Sequence, residues 1–301
     1  MTKTGVFIAR TSWGILILLL LLEAFPVGAS ACTCWSAAGE RALGGGTILA
    51  KNRDWEPQRD ELKVVAPPGG LRYVALVAIP DGGKRRVVAG VNEKGLAVVS
   101  LSASSVPKKD RTIGAGGLNE KLLAGFDSVD AALGRKELLS AHRPAFLMLA
   151  DGKRIAEVEI APRGDVAVRV TDNGTLCHTN HYLDPKLVWA NSKIGKSSAR
   201  RLDRIRELVG GHPSPFGMED FIAFSDDRHD GPDESIWRTG STPEKTRTLA
   251  GWIVAVPRNG VPSLYVKLAN PGEKERTYKV KLDQTVWSGS VDAWAPVPGR
   301  P

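Results

Sequence analysis

Beyond residue 31 the chain is written in short apolar and β-branched runs separated by Gly, Pro, Asn and Asp. Such runs suit strands, and the separators suit turns, because those residues accept the backbone conformations that reverse a chain. The pattern predicts strands at 33–37, 47–52, 62–66, 72–79, 86–91, 96–102, 145–150, 155–160, 166–170, 176–180, 248–256, 263–267 and 277–282. Apolar residues recur at helical spacing in 118–124, 129–138, 197–209 and 218–223. Asp127 or Ser128 is placed to cap the second of these helices, and Ser197 or Ser198 the third. Asn92 and Gly95 read as the turn of a hairpin. Strands, then helices, then strands again do not follow βαβ alternation. The order fits two antiparallel sheets packed face to face with helices outside. There is no internal repeat and no long linker, so residues 32–301 read as one domain with a frayed Pro-rich tail at 295–301.

The first 31 residues follow a different pattern. Lys3 and Arg10 precede an apolar run over 13–22, Pro26 and Gly28 break it, and Ala29-Ser30-Ala31 forms a small-residue cleavage site. The run is shorter than the roughly 20 apolar residues a bilayer span needs. It predicts a signal peptide over 1–31, export to the periplasm or the medium, and no membrane contact after cleavage. Cys32 then becomes the first residue of the mature chain. The rival is lipidation of that cysteine, which blocks amine and sulfur and leaves a lipid-anchored, non-catalytic binding protein. Against it, Ala29 stands where a lipoprotein signal carries a branched apolar residue.

Charge and cysteine content narrow the function classes. Loss of Lys3, Arg10 and Glu23 with the leader lowers the net charge from +8 to +7, and the excess is spread along the chain. The densest basic stretch, from Lys193 to Arg206, is interleaved with Leu202 and Ile205 at helical spacing and reads as a solvated helix face, not a nucleic-acid surface. Cys32, Cys34 and Cys177 are too few for a disulfide framework, and the odd count leaves at least one free thiol. Pairing of Cys34 with Cys177 stays open. Zinc wants about four ligands, and the five histidines show no companion spacing, so no metal or cofactor is expected.

An N-terminal cysteine carries its own base, because a free α-amine titrates near neutrality within reach of the thiol. Four motifs follow in order: Cys32-Thr33; the run from Gly45 to Trp55, ending Asn52-Arg53-Asp54-Trp55; Gly90-Val91-Asn92-Glu93-Lys94-Gly95-Leu96-Ala97; and His178-Thr179-Asn180-His181-Tyr182-Leu183. This succession resembles the N-terminal nucleophile (Ntn) hydrolases, in particular the isopenicillin N acyltransferase-like branch with the choloylglycine hydrolases and penicillin V acylases. The resemblance runs from Cys32 to about Pro271.

It implies an α+β, four-layer αββα sandwich and cleavage of a linear, non-peptide C–N amide through a thioester, with hydrolysis or acyl transfer to follow. It also implies roles by position. Cys32 matches the nucleophile, Asp54 the carboxylate that holds the α-amine, Asn180 an oxyanion donor, and Lys51 a cation beside the thiol. That cation is usually arginine, and lysine lacks the planar fork of donors. Arg238 matches a distal arginine, and Ser102 lies near a second oxyanion donor position. Apart from the resemblance, Trp237 is the tryptophan expected against an acyl group. His178 and His181 read as packed or hydrogen-bonded residues, since an α-amine base leaves them no general-base role. The expected partner is a small-molecule acyl-amide, and monomer and oligomer are equally compatible with the sequence.

Overall fold

The computed structural model describes residues 1–2, 31–213 and 215–297. The leader expected over 1–31 therefore lies almost wholly outside the described residues. Thirteen strands form: β1 (Thr33–Ala38), β2 (Thr47–Trp55), β3 (Arg59–Val65), β4 (Tyr73–Ile79), β5 (Arg86–Asn92), β6 (Ala97–Ser102), β7 (Ala145–Ala150), β8 (Ile155–Ile160), β9 (Val166–Thr171), β10 (Gly174–His178), β11 (Arg247–Val256), β12 (Ser263–Leu268) and β13 (Arg276–Lys281). The helices are α1 (Leu118–Gly125), α2 (Val129–Leu133), α3 (Lys136–Ser140), α4 (Lys196–Gly211), α5 (Met218–Ser225), α6 (Gly231–Glu234) and α7 (Gln284–Ser288).

The strands make two sheets, one in the order β10-β1-β2-β11-β12-β13 and the other running from β3 to β9 in sequence. Every pairing is antiparallel. Alternation builds the layers. On β7, Phe146 and Met148 enter the core between the sheets, while Leu147 and Leu149 face the layer of α1, α2 and α3. On the other sheet, Trp252 and Val254 meet that inter-sheet core while Ile253 packs with Leu202, Ile205 and Phe221 of α4 and α5. A strand apolar on both faces is one buried on both. Each large apolar side chain so placed contributes about 1.5–3 kcal/mol. The result is the expected α+β sandwich of helix, sheet, sheet and helix.

Several boundaries move. The helix expected over 129–138 is two, because α2 ends at Gly134 and Arg135 leaves helical geometry before α3. Ser128 caps α2, its Oγ accepting from Ala131 N. For α4 neither expected serine is the cap: Gly195 holds that position, and the Ser198 hydroxyl accepts instead from Asn180 N at 3.0 Å. In the tail, Val297 N donates to Thr277 O at 2.8 Å, and 298–301 lie outside the described residues.

Cys34 and Cys177 do not pair; all three cysteines are free thiols. Cys34 stands opposite His178 and Cys177 opposite Trp35 on neighbouring strands. One residue of offset sends the two sulfurs to opposite faces: Cys34 enters the inter-sheet core and Cys177 the helix-side core.

Gly46, where the chain enters β2, is required by close approach. A Cβ there would lie 2.3 Å from Val256 O and 2.7 Å from Pro257 Cα. Both are backbone atoms that move only with their strand, so Gly46→Ala is expected to cost about 1–3 kcal/mol in a denaturant titration. An unchanged midpoint would show that the strand ends adjust freely.

Candidate active site

β1 and β2 lie side by side within the six-stranded sheet, and Cys32 immediately precedes β1. The alternation that turns Thr33 and Trp35 toward the helices turns Cys32 and Cys34 toward the other sheet. Cys32 there lines a cavity of about 420 Å³ together with Lys51, Ser100 and Ser102. Its Sγ lies 3.7 Å from Asp54 O.

The backbone of Cys32 is held from both sides. Its N donates to Asn180 Oδ1 at 2.8 Å, and its carbonyl accepts from Arg201 Nη1 at 2.7 Å. Arg201 also donates to Thr33 Oγ1 at 2.7 Å and to Asn180 Oδ1 at 3.1 Å. Asn180 lies just past β10, and its Nδ2 donates to Ser102 O at the end of β6, at 3.0 Å. With Oδ1 taking two donors and Nδ2 facing a carbonyl, the orientation of the amide follows from its neighbours. A primary amide carries two N–H bonds, so one remains after Ser102 is served. Ser102 therefore contributes its carbonyl to the site and lines the cavity.

Asp54, fully buried, is the next-to-last residue of β2. Its Oδ1 accepts from Thr248 Oγ1 at 2.8 Å, and Arg238 Nη1 stands 4.0 Å from Oδ2. A bulge between Thr248 and Ala250 in β11 makes this contact possible, since an inserted residue re-aims the side chains beside it. The Thr248 hydroxyl in turn accepts from Arg238 N at 2.8 Å, which fixes that arginine next to the carboxylate. Oδ2 itself has no hydrogen-bond partner among the described residues. Burial raises the Asp54 carboxyl above its usual range, and Arg201 and Arg238 oppose the rise. Burial likewise pulls Arg201 down to about 10, with Asp54 resisting.

Lys51 crosses from β2 to the facing sheet, where its ammonium donates to Val88 O at 2.9 Å and to Ser100 O. Burial lowers its pKa, and the nearby Cys32 sulfur acts in the opposite sense. Arg53, two residues on, donates to Asp54 O at 3.1 Å and stacks on Trp55, with 4.4 Å from Cζ to the ring centroid.

The structure thus brings Cys32, Lys51, Asp54, Asn180, Ser102 and Arg238 together. Trp237 is a correction: it lines a separate cavity with Arg238 and Thr248 and lies under the Lys267 ammonium at 4.2 Å. Trp55 is the tryptophan on the wall shared with Cys32. The basic stretch from Lys193 to Arg206 is a solvated face at Lys193, Lys196, Arg200 and Arg206, and Arg201 is the correction to that reading. Arg201 shares the buried stripe of α4 with Ser198, Leu202, Ile205 and Val209, and it alone of these bonds Cys32. That spacing, with Arg201 four residues before Ile205, was the available signal. Thr248 had none, because its role depends on the bulge.

The histidines brace this arrangement. His178 Nε2 bonds Glu159 Oε1 at 2.9 Å, and Glu159 also accepts from Leu183 N at 2.7 Å. His181 Nδ1 bonds Ser198 Oγ at 2.8 Å. Burial lowers His181 to about 4, as it does His142 on the cavity wall. An unfolded histidine takes its proton near 6.5, so stability is full above that pH and falls as pH drops toward about 4. His181→Gln keeps the Ser198 contact and removes the titration. Its melting temperature is expected to fall less than wild type between about pH 7 and pH 4.5; parallel curves would show that His181 is already charged in the fold.

Two antiparallel sheets between helical layers, with a cysteine ahead of a central strand, its backbone held by Asn180 and Arg201 and its sulfur beside Asp54, define the Ntn-hydrolase class. The family model described as "Acyl-coenzyme A:6-aminopenicillanic acid acyl-transferase" matches residues 42–273, and the protein belongs to that family. It is an enzyme of amide hydrolysis or acyl transfer within the Ntn superfamily. Among solved structures, the penicillin V acylase from Agrobacterium tumefaciens is similar at 18% identity and a TM-score of 0.52, over 84% of this chain and 87% of that one. A mutant of conjugated bile acid hydrolase from Clostridium perfringens is similar at 13% identity and a TM-score of 0.54, over 89% and 97%. No curated protein matches the sequence.

Proposed function

We propose that the chain is exported, cleaved after Ala31, and acts as an amidase whose nucleophile is the thiol of Cys32. The observation that carries this reading is the clamp on Cys32, whose two backbone polar groups are held by Asn180 and Arg201 while its side chain lines the cavity. In the mature chain the freed α-amine takes the proton from sulfur, and the thiolate attacks the substrate carbonyl carbon. Negative charge then develops on the carbonyl oxygen, where the remaining N–H of Asn180 is the donor. Collapse of the intermediate breaks the C–N bond, the α-ammonium returns the proton to the leaving amine, and a thioester stays on Cys32. Water, deprotonated by the same amine, attacks the thioester carbon, the C–S bond breaks to release the carboxylic acid, and the α-ammonium returns its proton to the Cys32 sulfur.

Asp54 Oδ2, buried without a hydrogen-bond partner among the described residues, is the acceptor that orients the α-ammonium. A small acyl-amide is the substrate class, supported by relatives named as a penicillin V acylase, a conjugated bile acid hydrolase and an acyl-transferase acting on 6-aminopenicillanic acid. Intact mass of the purified exported protein tests the reading. The expected chain starts at an unmodified Cys32 and, acid-quenched during turnover of penicillin V or a glycine-conjugated bile acid, gains the mass of the acyl group there. A diacylglyceryl cysteine, or a start elsewhere, overturns it.

A further inference from the structure

The cavity that Trp237 lines with Arg238 and Thr248 measures about 270 Å³ and shares no lining residue with the one at Cys32. Arg247 is on its wall too. Arg238 N donates to Thr248 Oγ1 at 2.8 Å and Thr248 N returns a bond to Arg238 O at 2.9 Å, so the approach to β11 carries both arginines to one place. Arg247 Nη2 donates to Thr242 O at 3.1 Å and to Pro243 O at 3.2 Å, which fixes its guanidinium. Donors stay unused on both. Nε and Nη1 of Arg238 and Nε of Arg247 are buried without a hydrogen-bond partner among the described residues, and the Arg238 side chain is only 8% exposed. Its ion pair with Asp54, at 4.0 Å, is too long for a hydrogen bond. The acids on the wall are already matched, Glu273 by Arg59 at 3.2 Å and Arg276 at 3.0 Å, and Glu275 by Lys267 at 3.3 Å.

A buried donor left unmade is costly, so native folds keep such donors for a ligand or an ordered water. Water is neutral and leaves two guanidinium charges uncompensated. Chloride has no paired oxygens to meet the planar fork of an arginine, whereas a tetrahedral oxyanion offers several acceptor oxygens and up to two negative charges. We propose that this cavity binds a tetrahedral oxyanion of the phosphate class between Arg238 and Arg247. Arg238 also faces the Asp54 carboxylate and helps to hold it down against the effect of burial, so anion and carboxylate draw on one cation. Each then weakens the other's hold on Arg238, by the same factor in both directions.

Titration calorimetry of the purified protein with inorganic phosphate tests the site without any need for turnover. Saturable binding is expected, with sulfate competing and sodium chloride of equal ionic strength failing to compete. Arg247→Gln is expected to weaken phosphate about tenfold, the scale of one lost charged hydrogen bond, and Arg247→Lys to weaken it less. Arg238→Gln is expected to lose at least as much. Asp54→Asn removes the competing carboxylate and is expected to bind phosphate more tightly than wild type. Arg143→Gln, on the wall of the Cys32 cavity, is expected to leave the affinity unchanged.

Absence of saturable phosphate binding overturns the site, as does displacement by chloride at equal ionic strength. Unchanged affinity in the folded Arg247→Gln and Arg238→Gln variants overturns it too. A loss in Arg143→Gln that spares Arg247→Gln puts the ion in the Cys32 cavity and overturns the assignment to this one. Equal affinity in Asp54→Asn and wild type overturns the sharing of Arg238 between cavity and carboxylate. If Arg238→Gln fails to melt cooperatively, the two Arg247 variants decide, because Arg247 stands outside the hydrogen bonds that hold Asp54 and Cys32.

Discussion

Replacing Cys32 with alanine is expected to lower turnover of an acyl-amide by roughly four orders of magnitude or more, the scale seen when a nucleophile acting as part of a unit is removed. The fold should survive. Apart from one sulfur contact at 3.7 Å to Asp54 O, the interactions of Cys32 run through its backbone, to Asn180 and Arg201, and alanine keeps them. Cys34→Ala is expected to be mild by comparison. Cys34 is fully buried between the sheets, and burial pushes its thiol well above the ordinary range, so it stays protonated and out of reach of a substrate. Steady-state kinetics with thermal melting on both variants make the comparison. Equal losses in two folded proteins would mean that the nucleophile is not the residue clamped ahead of β1.

Asn180→Ala is expected to cost about 10²-fold to 10³-fold in kcat, with a much smaller change in ground-state binding, because a donor to a developing oxyanion matters most once the charge has formed. The side chain has a second duty, since Oδ1 accepts from both Cys32 N and Arg201. Asn180→Asp separates the two. The carboxylate still accepts from Cys32 and Arg201 but donates nothing to an oxyanion. Loss of acylation in Asp and Ala alike, read by pre-steady-state kinetics, identifies the donor function. Full acylation in the folded Asp variant would leave Asn180 as a positioning residue only.

The same two residues show how far local patterns reach. Cys32 is marked in the sequence by the A-x-A pattern just before it and Asn180 by its Thr-Asn-His stretch, both local patterns, and the structure holds the two 2.8 Å apart. Arg201 was read as a solvated face because its neighbours in sequence are mostly basic and polar. It is buried because Thr33 Oγ1, Cys32 O and Asn180 Oδ1 receive its guanidinium. A buried cation is tolerable only with such partners, and two of the three lie more than 160 residues away in the chain. Trp237 is the tryptophan the sequence reading sets against an acyl group, and no local pattern says which cavity it faces. The structure turns it to another cavity and leaves Trp55 on the wall with Cys32.

The sequence by itself determined the layers, since period-two alternation settles which residues of a strand are buried together and Gly or Asn settles where a strand must turn. It also determined the order of the chemical motifs along the chain. Only the tertiary structure decided which of them meet. Cys32 reaches Asn180 across 148 residues and Asp54 reaches Thr248 across 194, distances spanned by strand order, register and one bulge in β11. Those features follow from packing both sheets and both helical layers at once. Shifting one strand by a single residue would send Cys32 to the other face of the sheet, although every local signal would be unchanged.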